Sequence, residues 1–435
     1  MQHHTCNKTL RRLQQQVSRI SVLLRHLLQL HDIIMCFLQC CFRKRFKTEV
    51  MKFETHMVKG GVNSFPMTLP SIYQNLKTIG QGSQGVVVSA DVIVNGVFQR
   101  KVAIKKWLGM FHDGGARAQR LAQLAYREVS FMATLTHPNL MSLECAFTSP
   151  GTTVNNFDHF YVVMELQDHM LTELIRPDPS VFKLEHKDLS FLIYQLIVGV
   201  HHLHAQGIIH RDLKPENIAV SNRAVLKILD YGLSRIESDN AEMTQYVVTR
   251  PYRAPEIVLC MPYDNKVDVW SIGCIMAEMI LHRRLFHALN SRQLYRNMLT
   301  ILGSPSADFI ARVNDPAISE AIKDVEHYTA KPFDEIFPDD FFKPTNPSFP
   351  HLNADNARDL LENMLKIDPN ERYNVQQAVE HPYVSRWFRE NEWSHPQVPL
   401  GYHEEENEAK ITADEWRGVL FAKITELQNR IETIP

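Results

Sequence analysis

The sequence predicts a two-lobed α+β fold, with a small β-rich lobe followed by a larger α-helical lobe. Three observations support this prediction. The chain has 435 residues, too many for one ordinary domain and few for three. Strand-type segments rich in valine and isoleucine cluster between residues 79 and 104 and return at 161–164. Helical spacing of apolar residues dominates from about residue 186 onward, and strands before helices indicate lobes in that order.

The composition is that of a folded protein, with 44% hydrophobic and 22% charged residues. Lysine and arginine total 47 against 49 acids, and this near balance argues against direct binding to nucleic acid. Seven cysteines without a repeated C-x-x-C do not predict a disulfide framework. They favour a reducing compartment, and we expect the protein in the cytoplasm and the nucleus.

Residues 1–68 are predicted to be a basic N-terminal extension, with 11 Lys/Arg and only 3 Asp/Glu. Apolar residues recur every seven positions in two series that begin at Leu10 and Leu13, and no Gly or Pro precedes Gly60. This pattern favours a long helix, but a partly disordered extension is an open alternative. Self-association through residues 10–47 is a second open question.

A membrane role for the extension is a weaker alternative. Cys36, Cys40 and Cys41 precede a basic cluster at 43–45, which would suit a palmitoylated anchor with weak membrane contact. The longest charge-free apolar run, residues 33–42, has only 10 residues, about half of what a bilayer requires. The start of the chain also lacks the features of a secretory signal.

The elements then follow in order along the chain. Glycines and prolines predict a linker over 58–70. Strands are predicted at 86–88, 92–94 and 102–104, with Asn95-Gly96 as a hairpin turn between the last two. A further strand is predicted at 161–164. The predicted helices are 117–135, 187–204, 267–279, 355–366 and 375–379.

A glycine-rich segment, Gly80-Gln81-Gly82-Ser83-Gln84-Gly85-Val86-Val87, has the pattern G-x-G-x-x-G-x-V. Alone it is a weak signal, because a structural glycine hairpin gives the same string. A dinucleotide-binding unit would continue into a helix, whereas here strands follow. Lys105 ends the apolar strand at 102–104, where an uncompensated charge is costly. Glu128 on the next predicted helix is the available carboxylate, and a surface salt bridge is the bland alternative.

The most specific string is His210-Arg211-Asp212-Leu213-Lys214-Pro215-Glu216-Asn217. It is followed by Asp230-Tyr231-Gly232 and then by Ala254-Pro255-Glu256. In this order and spacing, the motifs resemble the catalytic loop, the metal-binding motif and the APE motif of protein kinases. The resemblance implies the bilobal protein kinase fold and use of ATP and Mg²⁺.

The resemblance also implies site residues. Asp212, Lys214, Lys105 and Glu128 would be catalytic, and Asn217 and Asp230 would bind the metal. Adenine would sit under Val87 and Ala103, with backbone hydrogen bonds from the connector at 165–167. The expected ATP contacts are Ile79, Gly80, Gln81, Gly82, Ser83, Gln84, Gly85, Val87, Ala103, Lys105, Met164, Glu165 and Gln167. Asp268 lies on the helix that resembles the support of the catalytic loop, and Arg372 is the expected buried partner of Glu256.

Thr244-Gln245-Tyr246 lies between the metal-binding and APE motifs, and this resembles the dual-phosphorylation site of MAP kinases. Residues 65–430 are most similar to the c-Jun N-terminal kinase group of stress-activated kinases. We therefore expect a kinase domain at 69–385 and a C-terminal extension at 386–435 that packs on both lobes. The resemblance implies Ser/Thr-Pro substrates with docking motifs, an upstream dual-specificity MAP kinase kinase, and phosphatases. The acid run at 404–408 would be either a docking site or a solvated face.

Arginines are expected to bind the two phosphates. The resemblance assigns this role to Arg127, Arg211, Arg235, Arg250 and Arg253. The sequence departs from the family at four positions, namely Leu124, Tyr231, Gln245 and Pro251. Because every catalytic charge is present, an active kinase is favoured over a non-catalytic scaffold, and the motif set is favoured over a small-molecule kinase. A metal site at His201, His202 and His204 is a minor alternative.

Overall fold

The computed structural model describes residues 52–60, 63–82, 84–112, 114–175, 184–236, 250–323, 325–393 and 411–433. Several predictions fall outside these ranges. They are the N-terminal heptad helix with its self-association and membrane alternatives, Ser83, the Thr244-Gln245-Tyr246 motif and the acid run at 404–408.

The chain enters the fold through two antiparallel strands, β1 (Phe53–Gly60) and β2 (Asn63–Pro70). The predicted linker over 58–70 is therefore wrong, and the predicted boundary between residues 68 and 69 falls inside β2. The linker was predicted because prolines are uncommon within strands. β1 and β2 form a two-stranded sheet, so each has one edge without a ladder partner, and a proline is tolerated on such an edge.

This hairpin belongs to the small lobe. Val58, Met67 and Leu69 are buried in one hydrophobic cluster with residues of the following strands. The backbone N–H of Thr68 also donates to the Tyr161 hydroxyl at 2.9 Å. Residues ahead of the glycine-rich segment therefore contribute to the folded domain.

The small lobe contains a five-stranded antiparallel sheet. Its strands are β3 (Tyr73–Gln81), β4 (Gly85–Val94), β5 (Val97–Trp107), β6 (Cys145–Phe147) and β7 (Phe160–Glu165), in the order β3-β4-β5-β7-β6. Asn95 and Gly96 form the predicted turn, with φ of 53° and 76°, as the tight hairpin turn requires. Helix α1 (Gly115–Thr134) follows β5, close to its predicted bounds.

The large lobe is mainly helical. Its helices are α2 (Leu171–Ile175), α3 (His186–Ala205), α4 (Pro255–Val258), α5 (Lys266–Leu281), α6 (Ser291–Leu302), α7 (Ala307–Ala311), α8 (Pro316–Lys323), α9 (Phe333–Ile336), α10 (Ala354–Met364) and α11 (Val375–Glu380). Its short strands are β8 (His169–Met170), β9 (Ile208–Ile209), β10 (Ile218–Val220), β11 (Leu226–Ile228) and β12 (Arg235–Ile236). Helix α5 is buried on nearly every face, which makes it the centre of this lobe.

The end of the chain packs on both lobes through helices α12 (Glu390–Trp393) and α13 (Ala413–Thr433). Trp393 stacks on His201 of α3, with ring centroids 3.4 Å apart. On the small lobe, Trp416 of α13 lies 5.6 Å from the Tyr126 ring of α1. Within the described ranges, no helix has the length and apolar character needed to cross a membrane.

Candidate active site

The glycine-rich segment connects β3 to β4 and folds back on itself. The Gly82 N–H donates to the Gly85 carbonyl at 3.0 Å. A Cβ on Gly85 would lie 2.0 Å from the Lys106 carbonyl oxygen, so only glycine fits beside β5. A Cβ on Gly82 would meet no atom within 4 Å. The tip therefore leaves open space beside its backbone, which suits close approach of phosphate oxygens.

Lys105 and Glu128 form the predicted ion pair. The Lys105 ammonium lies 2.7 Å from both carboxylate oxygens of Glu128, and 3.4 Å from the side-chain oxygen of Gln84. Burial raises the pKa of Glu128, the Lys105 charge opposes this rise, and the Asp230 carboxylate adds to it. The Glu128 carboxylate therefore experiences the charges of both Lys105 and Asp230.

The sheet places the expected adenine contacts on one face. Val87 lies opposite Lys105 in the β4–β5 ladder, and Ala103 lies opposite Met164 in the β5–β7 ladder. Because Ala103 and Lys105 are two residues apart on β5, all four side chains point to the same side of the sheet. The side-chain amide of Gln167 in the connector is buried and has no hydrogen-bond partner among the described residues. The contacts of these five residues with ATP remain predictions.

The catalytic loop positions Asp212 through its own neighbours. The Lys214 ammonium lies 2.5 Å from Asp212 Oδ2. The side-chain N–H groups of Asn217 donate to the Asp212 backbone carbonyl at 2.9 Å and to Oδ2 at 3.0 Å. A carboxylate that accepts these charge-assisted bonds has a defined orientation. One carboxylate, one ammonium and one amide therefore meet at the loop.

Asp268 of α5 supports this loop from below. Its carboxylate accepts the backbone N–H groups of His210 and Arg211, each at 2.8 Å, and approaches His204 Nε2 at 2.9 Å. Arg211 has φ of 67°, a conformation that needs such support. Burial alone would raise the pKa of Asp268, but hydrogen bonding and the nearby histidines hold it below its ordinary value. Nothing in the sequence around His204 marks Asp268 as its partner, because the two residues lie 64 positions apart.

The Asp230-Tyr231-Gly232 motif follows β11. Asp230 has φ of 62°, and its Oδ1 accepts the Gly232 N–H at 3.2 Å. The buried Tyr231 hydroxyl lies 3.0 Å from the Met141 carbonyl and donates there. The extra hydroxyl relative to phenylalanine is therefore satisfied. Leu124 of α1 packs against Gly232, because a Cβ added to Gly232 would lie 3.7 Å from the Cβ of Leu124.

The family comparison agrees with this geometry. A family model described as a protein kinase domain matches residues 73–384. The chain belongs to the protein kinase family. It is 42% identical over 365 residues to GLH-binding kinase 1 of Caenorhabditis elegans, covering 83% of this chain and 90% of that protein. It is 38% identical over 361 residues to the stress-activated protein kinase JNK of Drosophila melanogaster, covering 83% and 93%.

The side chains of this kinase fit ATP and Mg²⁺. Asn217 uses its amide nitrogen on Asp212, so its Oδ1 remains available to a metal, as does Oδ2 of Asp230. Such oxygen ligands suit Mg²⁺. Lys105 would supply a cation for the α- and β-phosphates. When bound, ATP would supply the phosphoryl group to be transferred, and Mg²⁺ held by Asn217 and Asp230 would offset the negative charge on it.

The described arginines expected to bind phosphate lie on separate elements. Arg211 Nε donates to the Leu233 carbonyl at 2.8 Å, and its Nη1 donates to the Tyr263 hydroxyl at 3.0 Å. Arg235 lies on β12, opposite Ile209 of β9. The other three lie on α1 and just before α4, namely Arg127, Arg250 and Arg253. Their binding of phosphate stays a prediction.

Proposed function

We propose that the protein is a serine/threonine kinase of the MAP kinase type. It transfers the γ-phosphate of ATP to Ser or Thr followed by Pro, in a stress-signalling cascade that requires phosphorylation of Thr244 and Tyr246. The main support for the proposal is the presence of two ion pairs: Lys105 pairs with Glu128 in the small lobe, and Lys214 pairs with Asp212 in the large lobe. Similarity to a stress-activated kinase over most of both chains supports the subtype.

The residues of the chain have distinct tasks in the transfer. Asp212 accepts or orients the proton of the substrate hydroxyl so that its oxygen attacks the phosphoryl group in line. Lys214, at 2.5 Å from Asp212, offsets the negative charge that develops near the transferred group. Lys105 holds the nucleotide phosphates, and Glu128 holds Lys105. The enzyme contributes position and charge rather than covalent chemistry.

The same proposal implies protein partners. An upstream dual-specificity MAP kinase kinase adds the two phosphates, and phosphatases remove them. Substrates with linear docking motifs are phosphorylated in the cytoplasm and the nucleus. Similarity to the JNK of Drosophila supports these partners.

Replacing Lys105 by methionine tests the catalytic assignment. We expect kcat/KM for peptide phosphorylation to fall at least about 10²-fold, because a charge that stabilises the transition state is lost. The fold should persist, because the Lys105 charge opposes the rise in the pKa of Glu128, and its loss favours the neutral carboxyl that burial tolerates. Lys101→Met on the same strand is a matched control, because the Lys101 side chain is 62% exposed. Equal activity of the two variants would contradict the assignment.

Variants of the activation motif test the regulation. Wild type, Thr244→Ala, Tyr246→Phe and the double variant are assayed on one peptide after treatment with an activating kinase. We expect both phosphates to contribute, with more from Tyr246 than usual, because Leu124 stands where the family has an arginine. A charge-assisted hydrogen bond of the kind that leucine cannot make typically contributes about 1.5–3 kcal/mol. Equal activity of all four proteins would refute activation by dual phosphorylation. Loss of activity in Thr244→Ala with normal activity in Tyr246→Phe would refute the larger contribution expected from the Tyr246 phosphate.

A further inference from the structure

Four ionisable side chains form a cluster beside the catalytic loop and have no task in the transfer described above. Glu216 belongs to the short 3-10 turn Pro215–Asn217, and Tyr252 to the turn Arg250–Tyr252. Glu278 lies in the last turn of α5, and Arg284 follows the end of that helix. Three segments thus bring two acids, one phenol and one cation together.

Arg284 is shared by the other three groups. Its Nη2 donates to Glu216 Oε1 at 3.3 Å, and the Tyr252 hydroxyl donates to Glu278 Oε2 at 2.6 Å. Burial tends to lower the pKa of Arg284, but Tyr252 and the two acids raise it above its ordinary value. Burial raises the pKa of Glu278, while Tyr252 and Arg284 oppose the rise. One cation therefore serves two carboxylates.

The main chain on either side of Arg284 is held in place. His282 ends α5 in the left-handed conformation, with φ of 54°, and its N–H donates to the Glu278 carbonyl at 2.8 Å. The His282 ring lies 2.7 Å from the Ile175 carbonyl of α2. On the other side, Phe286 is buried and stacks on Trp270. The direction of the Arg284 side chain is therefore built into the fold.

The cluster lies within reach of a bound peptide. Glu216 is four residues from Asp212, a distance that an extended chain spans in at most about 14 Å. The side chains of Glu216 and Arg284 are 40% and 41% exposed. The exposed part of the cluster therefore lies close enough to Asp212 for a side chain near the phosphoacceptor of a bound peptide to reach it.

We propose that Arg284 is a specificity-determining residue that occupies the place of a basic substrate side chain. Without Arg284, Glu216 and Glu278 would form a site of two carboxylates for a Lys or Arg of the peptide. With it, a guanidinium already fills that place, and a second cation there meets the repulsion of the Arg284 charge. The kinase therefore selects substrates that lack a basic residue at this position. The inference rests on the proposed phosphorylation of protein substrates.

The test uses the full chain, treated with an activating kinase, and a peptide in which proline follows the serine and alanines fill the other nearby positions. Each of the seven alanine positions within four residues of the serine is replaced in turn by arginine, and kcat/KM is compared with that of the parent peptide. In Arg284→Met, we expect the ratio of arginine peptide to parent peptide to rise about tenfold at one position, because charge-assisted hydrogen bonds form there. Arg283→Met is the matched control, since this neighbouring arginine is exposed.

Two further variants separate specificity from a structural role. Arg284→Lys should keep the low wild-type ratio, and Glu278→Gln combined with Arg284→Met should remove most of the gain. An unchanged ratio at all seven positions in Arg284→Met would overturn the inference, and so would an equal loss of activity on every peptide. Wild-type enzyme that phosphorylates no peptide would overturn the proposed function, and this inference with it.

Discussion

Replacing Arg372 by methionine should destabilise the large lobe strongly. The Arg372 guanidinium donates to both Glu256 oxygens, at 2.6 and 2.9 Å. It also donates to the carbonyls of Lys266, Lys366 and Ile367, at 3.1, 3.0 and 3.2 Å. These five bonds equal the five N–H donors that an arginine has. These contacts confirm the predicted pairing of Arg372 with Glu256.

The magnitude follows from burial. Both side chains are 0% exposed, so methionine would leave a carboxylate and three carbonyls without their donor in a site that excludes water. Breaking a buried ion pair by removing one partner typically costs about 3–5 kcal/mol. We expect the upper half of this range, because each abandoned acceptor adds its own desolvation cost. Such a loss is a large share of the roughly 5–15 kcal/mol that stabilises a typical domain.

Urea denaturation, followed by circular dichroism, measures the effect. Lys366→Met is a matched control from the same region, since the Lys366 ammonium pairs with Glu362 at 2.9 Å but both side chains are exposed to solvent. Its cost should be at most about 0.5 kcal/mol. The double variant Glu256→Gln with Arg372→Met should recover part of the loss, because the unpaired charge is gone. A loss below about 1 kcal/mol in Arg372→Met would refute the reasoning from burial.

Three further predictions concern single side chains. Leu69→Ala should cost about 2–5 kcal/mol in the free energy of unfolding, whereas Met57→Ala on the partner strand, 67% exposed, should cost little; equal effects would contradict packing of the hairpin. Tyr231→Phe should lower stability by about 0.5–1.5 kcal/mol while kinase activity persists, and loss of activity would give its hydroxyl another role. As pH falls through the raised pKa of Glu128, protonation should break its pair with Lys105, so kcat/KM should decline at a higher pH than for an ordinary glutamate. If a Glu128→Gln variant shows the same decline of kcat/KM at low pH, protonation of Glu128 is not its cause.

The sequence alone determined the features that local chemistry dictates. Lys105 ends an apolar strand, and a charge there requires a partner, so Glu128 could be expected 23 residues later. Asn95-Gly96 specifies its turn because these residues tolerate positive φ. The catalytic loop is a continuous motif, so Asp212 and Asn217 could be placed together before any coordinates. In each case, either the interacting residues are close in the sequence, or a single charged group would be costly to bury without a partner.

Only the tertiary structure decided the features that join distant segments of the chain. Met67 and Leu69 are buried by strands that come later, and without that packing the prolines around them indicate a linker. His204 meets Asp268 across 64 residues, and Arg284 meets Glu216 across 68. A histidine on a helix or an arginine after one carries no local mark of its partner. Burial and charge select these pairs only after the helices have packed, because the cost of leaving a polar group unpaired arises when water is excluded.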